Sequence, residues 1–416
     1  VEGAVLLLAV PGSGKTTVLV TRLGYLVQCC NVRPEEILTM TYTVAATRDM
    51  RNRFSSLFGE ELGSRMEFRT INGVSARIIR AYEQRMGRTA FSLLSSEAEQ
   101  TALLRVLYFR CKGEYPTDAE LKQARTLIAY AKNQMLGKEE LDLLWKELDC
   151  FPALYRAYQQ ALRNARQMDY DDQMVYALRI LRQVPEILHE FQARYHYFCV
   201  DEAQDTSRIQ HAIVSLLAGA GGNLFLVGDE DQSIYGFRAA CPDMLLHFEA
   251  DHPGAKVLFL EQNYRSTPQI LSVANSLIAK NTDRMEKSLL PTLPDGAPVR
   301  LHHARSAADE AAWMAAQMQE QAKRMLEQQE RRITEIDSII KWLYEDNISG
   351  KLTDEHFSQM STDYEREQAG LQVSVEELRE SVAACEQQSV NMDSFLKLVK
   401  KYTVPDKLFP EMRTSL

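Results

Sequence analysis

The sequence has no surplus of basic residues. Lys and Arg total 48 against 57 Asp and Glu, a net charge of −9, which excludes a chain coated in nucleic-acid-binding charge and leaves room for a local basic groove only. Long hydrophobic runs are also lacking: Val5-Leu6-Leu7-Leu8-Ala9-Val10 has no basic flank and is too short to span a bilayer, so neither a signal peptide nor a membrane partner is expected. The seven cysteines, at 29, 30, 111, 150, 199, 241 and 385, form no C-x-x-C pair and no metal-ligand spacing. Disulfides and zinc are therefore not expected, and the odd count suits reduced thiols in a cytoplasmic protein. From Gln321 onward glycine occurs only at 350 and 370 and proline only at 405 and 410, a composition that favours uninterrupted helix. What is present, 45% hydrophobic and 25% charged residues over 416 positions, is enough for ordinary globular cores in two to four domains.

The Val5–Val10 run reads as a buried parallel strand. Pro11-Gly12-Ser13-Gly14 breaks it, and apolar residues at helical spacing follow from Thr16. Further buried strands are predicted at 37–43, 195–200, 224–227 and 257–260, each followed by a turn and a helical pattern, which together indicate a parallel α/β sheet covered on both faces. Between Ser95 and Met168 only helical runs occur, such as 119–132 and 141–147, so an all-helical insertion is expected there. After Glu261 the pattern restarts with a helix over 267–281, a proline-rich loop, a short strand at 299–302 and a helix capped by Ser306. In the tail, Ile333, Ile336, Ile340 and Leu343, then Phe357, Met360, Tyr364, Leu371, Val375, Leu378 and Val382, follow a 3-4 alternation. That is a heptad seam on two helices joined at Gly350, a hairpin or coiled coil with Thr353 as N-cap.

The strongest chemical motif is Ala9-Val10-Pro11-Gly12-Ser13-Gly14-Lys15-Thr16-Thr17, a P-loop with Ala in place of its first Gly. Backbone N–H groups of Gly12 to Thr17 surround a phosphate, Lys15 neutralises the β and γ phosphates, and the Thr16 hydroxyl ligates Mg²⁺. The alternative is a plain glycine turn between strand and helix. A metal-holding acid is needed at the end of a neighbouring strand, and Tyr197-Phe198-Cys199-Val200 runs into Asp201-Glu202-Ala203-Gln204-Asp205. Asp201 would coordinate Mg²⁺ and Glu202 would activate the attacking water; the competing reading is a helix cap or solvated turn. After the next strand, Gly228-Asp229-Glu230-Asp231-Gln232-Ser233-Ile234-Tyr235-Gly236-Phe237-Arg238 offers a glutamine to report the γ phosphate and two aromatics to stack on bases, against a polar turn with core aromatics.

With Thr41-Tyr42-Thr43 and Leu260-Glu261-Gln262-Asn263-Tyr264-Arg265-Ser266-Thr267, the ordered set resembles the motifs of UvrD/PcrA/Rep helicases of superfamily one over about residues 1–320. The resemblance implies a P-loop RecA-like sheet over 1–90 and 170–260, a helical insertion over 91–169, the start of a second RecA-like domain over 261–320 and a separate helical tail over 321–416. It implies ATP as substrate, Mg²⁺ as cofactor and single-stranded DNA as partner. Lys15, Glu202, Gln232 and Arg265 match catalytic positions, Arg265 as an arginine finger. Tyr264 matches an adenine-stacking residue, and Tyr42, Tyr235, Phe237 and Arg238 match DNA contacts, Phe237 standing where relatives carry Trp. Asp171 and Asp172 match a stretch read as structural caps.

Departures from the pattern carry expectations of their own. The upstream glutamine motif that reads adenine has no counterpart, which leaves nucleotide preference open. Thr70-Ile71-Asn72-Gly73 and Thr43-Val44-Ala45-Ala46-Thr47 lose an aromatic, a histidine and a cation found in the family, so weaker DNA affinity is expected. The later motifs of the second motor domain are not found. Instead Arg331 to Leu352, Gln388 to Asn391 and Phe395-Leu396 resemble the C-terminal helical region of large serine recombinases of mobile elements. A fusion of two genes near Gln321 is expected on that ground, with ATP bound, hydrolysis slow and unwinding poor. The alternative is an ATP-binding remnant or interaction module, self-associating through the coiled coil of 321–416. That tail has 13 basic and 18 acidic residues, 13 − 18 = −5, which argues against DNA binding through it.

Overall fold

The computed structural model describes residues 2–89, 91–236 and 239–402, with side chains to 383. The described chain falls into two compact units, 1–299 and 300–416. In the first, strands β1 (Val5–Ala9), β2 (Ile37–Thr41), β3 (Glu67–Thr70), β4 (Ser92–Leu93), β5 (Gln167–Met168), β6 (Tyr197–Val200), β7 (Asn223–Gly228), β8 (Lys256–Leu260), β9 (Gln262–Asn263) and β10 (Leu290–Pro291) alternate with helices. Six of them form one sheet in the order β3-β2-β6-β7-β1-β8, every neighbour parallel.

The strands are apolar throughout because both faces are covered, and the period of two divides their side chains between two cores. Leu6 and Leu8 of β1 join Leu38, Met40, Phe198, Val200, Leu224 and Leu226 on one face. Val5, Leu7 and Ala9 join Ile37, Cys199, Phe225 and Val227 on the other. Since β1 lies between β7 and β8 while the chain passes from it to β2, its carboxyl end is a switch point in strand order, where open α/β sheets leave a crevice.

The expected helical insertion is present as Glu97–Lys112, Asp118–Asn133, Lys138–Leu143 and Phe151–Asn164, with a core of its own that includes Leu104, Tyr108, Ile128, Phe151, Leu154 and Tyr158. Its two ends are tied by a short parallel ladder, Ser92 opposite Gln167 and Leu93 opposite Met168. The stretch 141–147 is split into the end of an α-helix and a 3-10 turn, Leu144–Lys146. Where the chain returns to the sheet the cap is Asp169, which accepts from Asp172 N–H at 2.8 Å while Asp172 accepts from Asp169 N–H at 3.2 Å. Asp171 lies outside this box and accepts instead from Asn133 Nδ2 at 2.8 Å. Lys132, 3% exposed, bonds Asp169 at 2.6 Å and Asp172 at 2.9 Å and pins the insertion to the core.

Strand β3 was not expected, and the strand predicted at 299–302 does not form: Val299 is 53% exposed and Leu301 97%. Parallel pairing in that part of the chain is made by β9 with β10. The second unit is a helical hairpin, Ala307–Ile348 and Asp354–Tyr402. Its first helix is unbroken across Gln321 and starts at Ser306, whose hydroxyl accepts from Asp309 N–H at 3.2 Å. Arg332 with Glu367 and Arg379 with Glu330 cross the hairpin at 2.9 and 2.6 Å. Ile336 and Val375 are buried between the helices, whereas Met360 is exposed and leaves the seam. Among the described residues no helix is long and apolar enough to cross a membrane.

Candidate nucleotide site

β1 delivers the chain into the Val10–Gly14 loop, where Gly12 and Gly14 take φ of 71° and 92°, a region that costs an L side chain on the order of 1 kcal/mol or more. Gly14 is the N-cap of helix Lys15–Gln28, and no side chain caps that end. The free N–H groups of the first turn therefore form an anion-attracting surface at the loop. Ser13 is buried and its hydroxyl donates to Val10 O at 2.6 Å, so this side chain braces the loop.

β6 lies two strands from β1 and ends at Val200. Asp201 is 6% exposed and its Oδ1 has no hydrogen-bond partner. Burial, and then the neighbouring Glu202 charge, push its carboxyl up to about 6. Asp205 is likewise pushed up to about 6 by burial and by Glu202. Glu202 takes a left-handed backbone, φ 49°, an uncommon conformation for a residue with a Cβ. Its Oε2 accepts from Lys15 Nζ at 3.0 Å and from Gln204 Nε2 at 2.9 Å. Gln204, 2% exposed, accepts from Asp229 N–H at 3.0 Å through its other amide atom. Asp229, fully buried just past β7, accepts from Gln232 Nε2 at 2.5 Å. One hydrogen-bonded chain, Lys15–Glu202–Gln204–Asp229–Gln232, thus joins the ends of β1, β6 and β7.

The Gln262 to Thr267 segment closes the other side of the loop. Asn263, 1% exposed, donates to Pro11 O at 2.6 Å and accepts from Arg265 and Ser266 N–H at 2.9 and 2.7 Å, while Tyr264 N–H donates to Gly12 O at 3.0 Å. A Cβ on Gly12 would stand 2.7 Å from Arg265 Cβ, so Arg265 lies against the phosphate loop. The Arg265 and Tyr264 side chains are exposed, with Tyr264 Oη donating to Gln262 Oε1 at 2.6 Å. Thr16 is half-buried and Thr17 exposed on the first helical turn. Sequence reasoning passed over Gln204 and Asn263. Both sit inside motifs already singled out, and the signal was that a buried amide needs partners on two sides.

Tyr42 lines a cavity of about 880 Å³ between the core and the insertion, together with Asn72, Lys122, Arg125, Asp171 and Asp205. Tyr235 is half-buried in the loop after Gln232. Phe237 and Arg238 lie outside the described residues. The structure brings Lys15, Glu202, Gln232 and Arg265 to one end of the sheet and leaves Tyr42 on the adjoining cavity.

This arrangement defines a P-loop α/β protein with a helical insertion between β4 and β5. The chain belongs to the UvrD/REP helicase family: residues 1–253 match the UvrD/REP helicase N-terminal domain, and residues 258–357 match the UvrD-like helicase C-terminal domain. It is 36% identical to an ATP-dependent DNA helicase PcrA of Leuconostoc citreum over 327 residues, 77% of this chain and 43% of the relative. It is 33% identical to the same-named protein of Staphylococcus epidermidis over 372 residues, 87% of this chain and 49% of the relative. A Staphylococcus aureus PcrA is 32% identical over 371 residues, 87% and 48%. The chain spans about half the length of the curated relatives it matches, and the C-terminal family match runs across Gln321 to residue 357.

Proposed function

We propose that this chain binds ATP with Mg²⁺ at the carboxyl end of β1 and couples its hydrolysis to holding single-stranded DNA, as an ATP-dependent DNA helicase or translocase of the UvrD type. The observation that carries the reading is the polar chain from Lys15 to Gln232, which puts a phosphate-binding cation, a carboxylate base and a phosphate-sensing amide in one hydrogen-bonded line.

The residues fit a hard divalent cation. Asp201 Oδ1 is a buried carboxylate oxygen without a partner, and the Thr16 hydroxyl supplies a neutral ligand, matching the one or two protein oxygens that Mg²⁺ takes while keeping most of its water. Bound there, Mg²⁺ would neutralise charge developing on the transferred phosphoryl group. Lys15 Nζ moves from Glu202 to the terminal phosphates, because two anionic oxygens outbid one half-exposed carboxylate. Released from the ammonium, Glu202 Oε2 accepts the proton of the attacking water. Gln232 orients on the terminal phosphate from its anchor on Asp229, and Arg265, beside Gly12, adds positive charge to the transition state.

DNA contacts are assigned to Tyr42, Tyr235, Phe237 and Arg238. The cavity beside Tyr42 carries Lys122 and Arg125 against Glu97, Asp118, Asp171 and Asp205, so stacking on the aromatic faces supplies more of the affinity than phosphate pairing there. The test is steady-state ATP hydrolysis with and without a single-stranded oligonucleotide. Stimulation by DNA, with losses of about 100-fold or more in Lys15→Ala and Glu202→Gln, is expected. A rate equal to these variants' with ATP still bound refutes hydrolysis and leaves an ATP-binding protein.

For the tail, the proposal is a recombinase-like helical segment joined to the helicase part, able to self-associate through 321–416. Genomic sequence across the Gln321 codon tests the first part, an uninterrupted second motor domain in the source genome overturning it. Sedimentation at two concentrations tests the second, a concentration-independent monomer overturning it.

A further inference from the structure

Resting on the hydrolytic reading above, we infer that Lys287 is a positioning residue for Gln232, acting through the Asp229 carboxylate. Lys287 belongs to the segment after helix Pro268–Ile278 and lies 55 positions beyond Gln232, 287 − 232 = 55. Nevertheless its side chain is 1% exposed and its Nζ reaches Asp229 Oδ1 at 3.1 Å, Glu230 Oε1 at 2.5 Å and Asp231 Oδ2 at 2.9 Å. The ammonium thus sits among all three carboxylates of the Asp229-Glu230-Asp231 run, with a hydrogen bond to Glu230 and ion pairs to Asp229 and Asp231. Arg284 adds a second cation, bonding Asp231 at 2.7 Å.

A lysine buried this deeply needs partners, so burial alone says little about its role. What points to positioning is the division of labour on Asp229. One oxygen takes the Lys287 ammonium and the other takes the Gln232 amide, while Asp229 N–H is held by Gln204, which also holds Glu202. The ammonium thus fixes the carboxylate plane that orients the Gln232 Nε2 group and leaves Gln232 Oε1 free of that bond. Without Lys287, three adjacent carboxylates would repel one another at the base of this loop, and Asp229 Oδ1 would keep only the Asp231 N–H, at 3.3 Å, to hold its rotamer. Lys287 lies in the part of the chain that matches the UvrD-like C-terminal domain, and Asp229 and Gln232 in the N-terminal match. The contact therefore ties the γ-phosphate-sensing loop to the segment that carries Arg265.

The cluster holds three acids and two bases, and removing Lys287 together with one acid keeps its net charge at −1. Lys287→Met combined with Asp231→Asn is therefore the principal variant, and Lys287→Met alone the harsher one. The readout is discrimination between Mg²⁺-bound non-hydrolysable ATP analogue and Mg²⁺-bound ADP, measured as a ratio of dissociation constants by fluorescence titration on the full chain. Asp231→Asn alone and Gln232→Ala are the comparison variants. The expected result is that the double variant loses at least 5-fold of the wild-type ratio, as Gln232→Ala does, while ADP affinity stays within 2-fold and Asp231→Asn keeps the wild-type ratio. Adding Gln232→Ala to the double variant should cost nothing further, since both changes remove one interaction. A double variant that discriminates like the wild type, or losses that add with Gln232→Ala, overturns the role of Lys287. A wild-type chain that binds neither nucleotide overturns the hydrolytic reading itself, and this inference with it.

Discussion

Asp201 is a carboxylate that the ligand-free fold holds at a cost, and replacing it with asparagine should stabilise the ligand-free protein. Its carboxyl sits at about 6 in the fold against 3.8 for the ordinary group. Because the folded value is raised, the folded state holds the proton more tightly. Stability associated with this group is full below about pH 4, falls as pH rises toward 6 and stays low above it. At pH 8 the ionised carboxylate costs the folded chain about 3 kcal/mol. Asparagine removes that charge but leaves an amide N–H₂ where Oδ1 now lacks a partner, which gives back about 1 kcal/mol. A net gain of about 2 kcal/mol remains, or on the order of 4 °C in midpoint for a unit of this size. Thermal unfolding of wild type and Asp201→Asn without nucleotide or metal, at pH 5 and pH 8, measures it. The variant should melt higher at pH 8, with the advantage shrinking toward pH 5. Equal or lower melting at pH 8 would refute the claim that this carboxylate is held at a cost for a ligand.

Gly12→Ala should lose about 2–5 kcal/mol, combining a left-handed backbone with a Cβ forced onto Arg265 Cβ and the Asn263 amide; urea unfolding checks this, and a loss below about 1 kcal/mol would mean the loop relaxes freely. Lys132→Met should lose about 3–5 kcal/mol by leaving Asp169 and Asp172 buried without their cation, and Asp172→Asn in the same chain should recover part of it. His211, whose ring bonds the Thr206 hydroxyl, is pushed down to about 4 by burial. Its folded value lies below 6.5, so the protein loses stability as pH falls from about 6.5 toward 4, and His211→Gln should flatten that part of the profile in a pH series of melts.

What could be read from the sequence was whatever is local. The Val5–Ala9 strand, the glycine loop and the Lys15 helix each announce themselves within a dozen residues, through an apolar run, two glycines and helical spacing. Strand β3 does not: Glu67-Phe68-Arg69-Thr70 is four residues with two charges, and only pairing with β2 makes it a strand. The opposite error arose at 299–302, where alternating apolar residues found no neighbour to pair with. Gln204, Asn263 and Lys287 were illegible for another reason. Their partners lie 25, 252 and 58 positions away at Asp229, Pro11 and Asp229, and no periodicity connects such pairs. Of the caps placed on Asp171 and Asp172, Asp172 does close the box with Asp169 while Asp171 bonds Asn133 instead, because three nearby acids offer equivalent side chains and backbone geometry selects among them.

The short ladder of Ser92–Leu93 with Gln167–Met168 has a consequence for how such a chain changes over time. Its two strands run side by side, about 4.8 Å apart, so everything between them is a detour that starts and finishes at nearly the same point of the core. Material can be added, shortened or exchanged along that detour without moving β3 or β6. The carboxyl ends of β1, β6 and β7 can therefore stay in place while the insertion changes, provided the side chains that reach across travel with it, among them Lys132 to Asp169, Asn133 to Asp171 and Ser207, and Gln134 to Ala239.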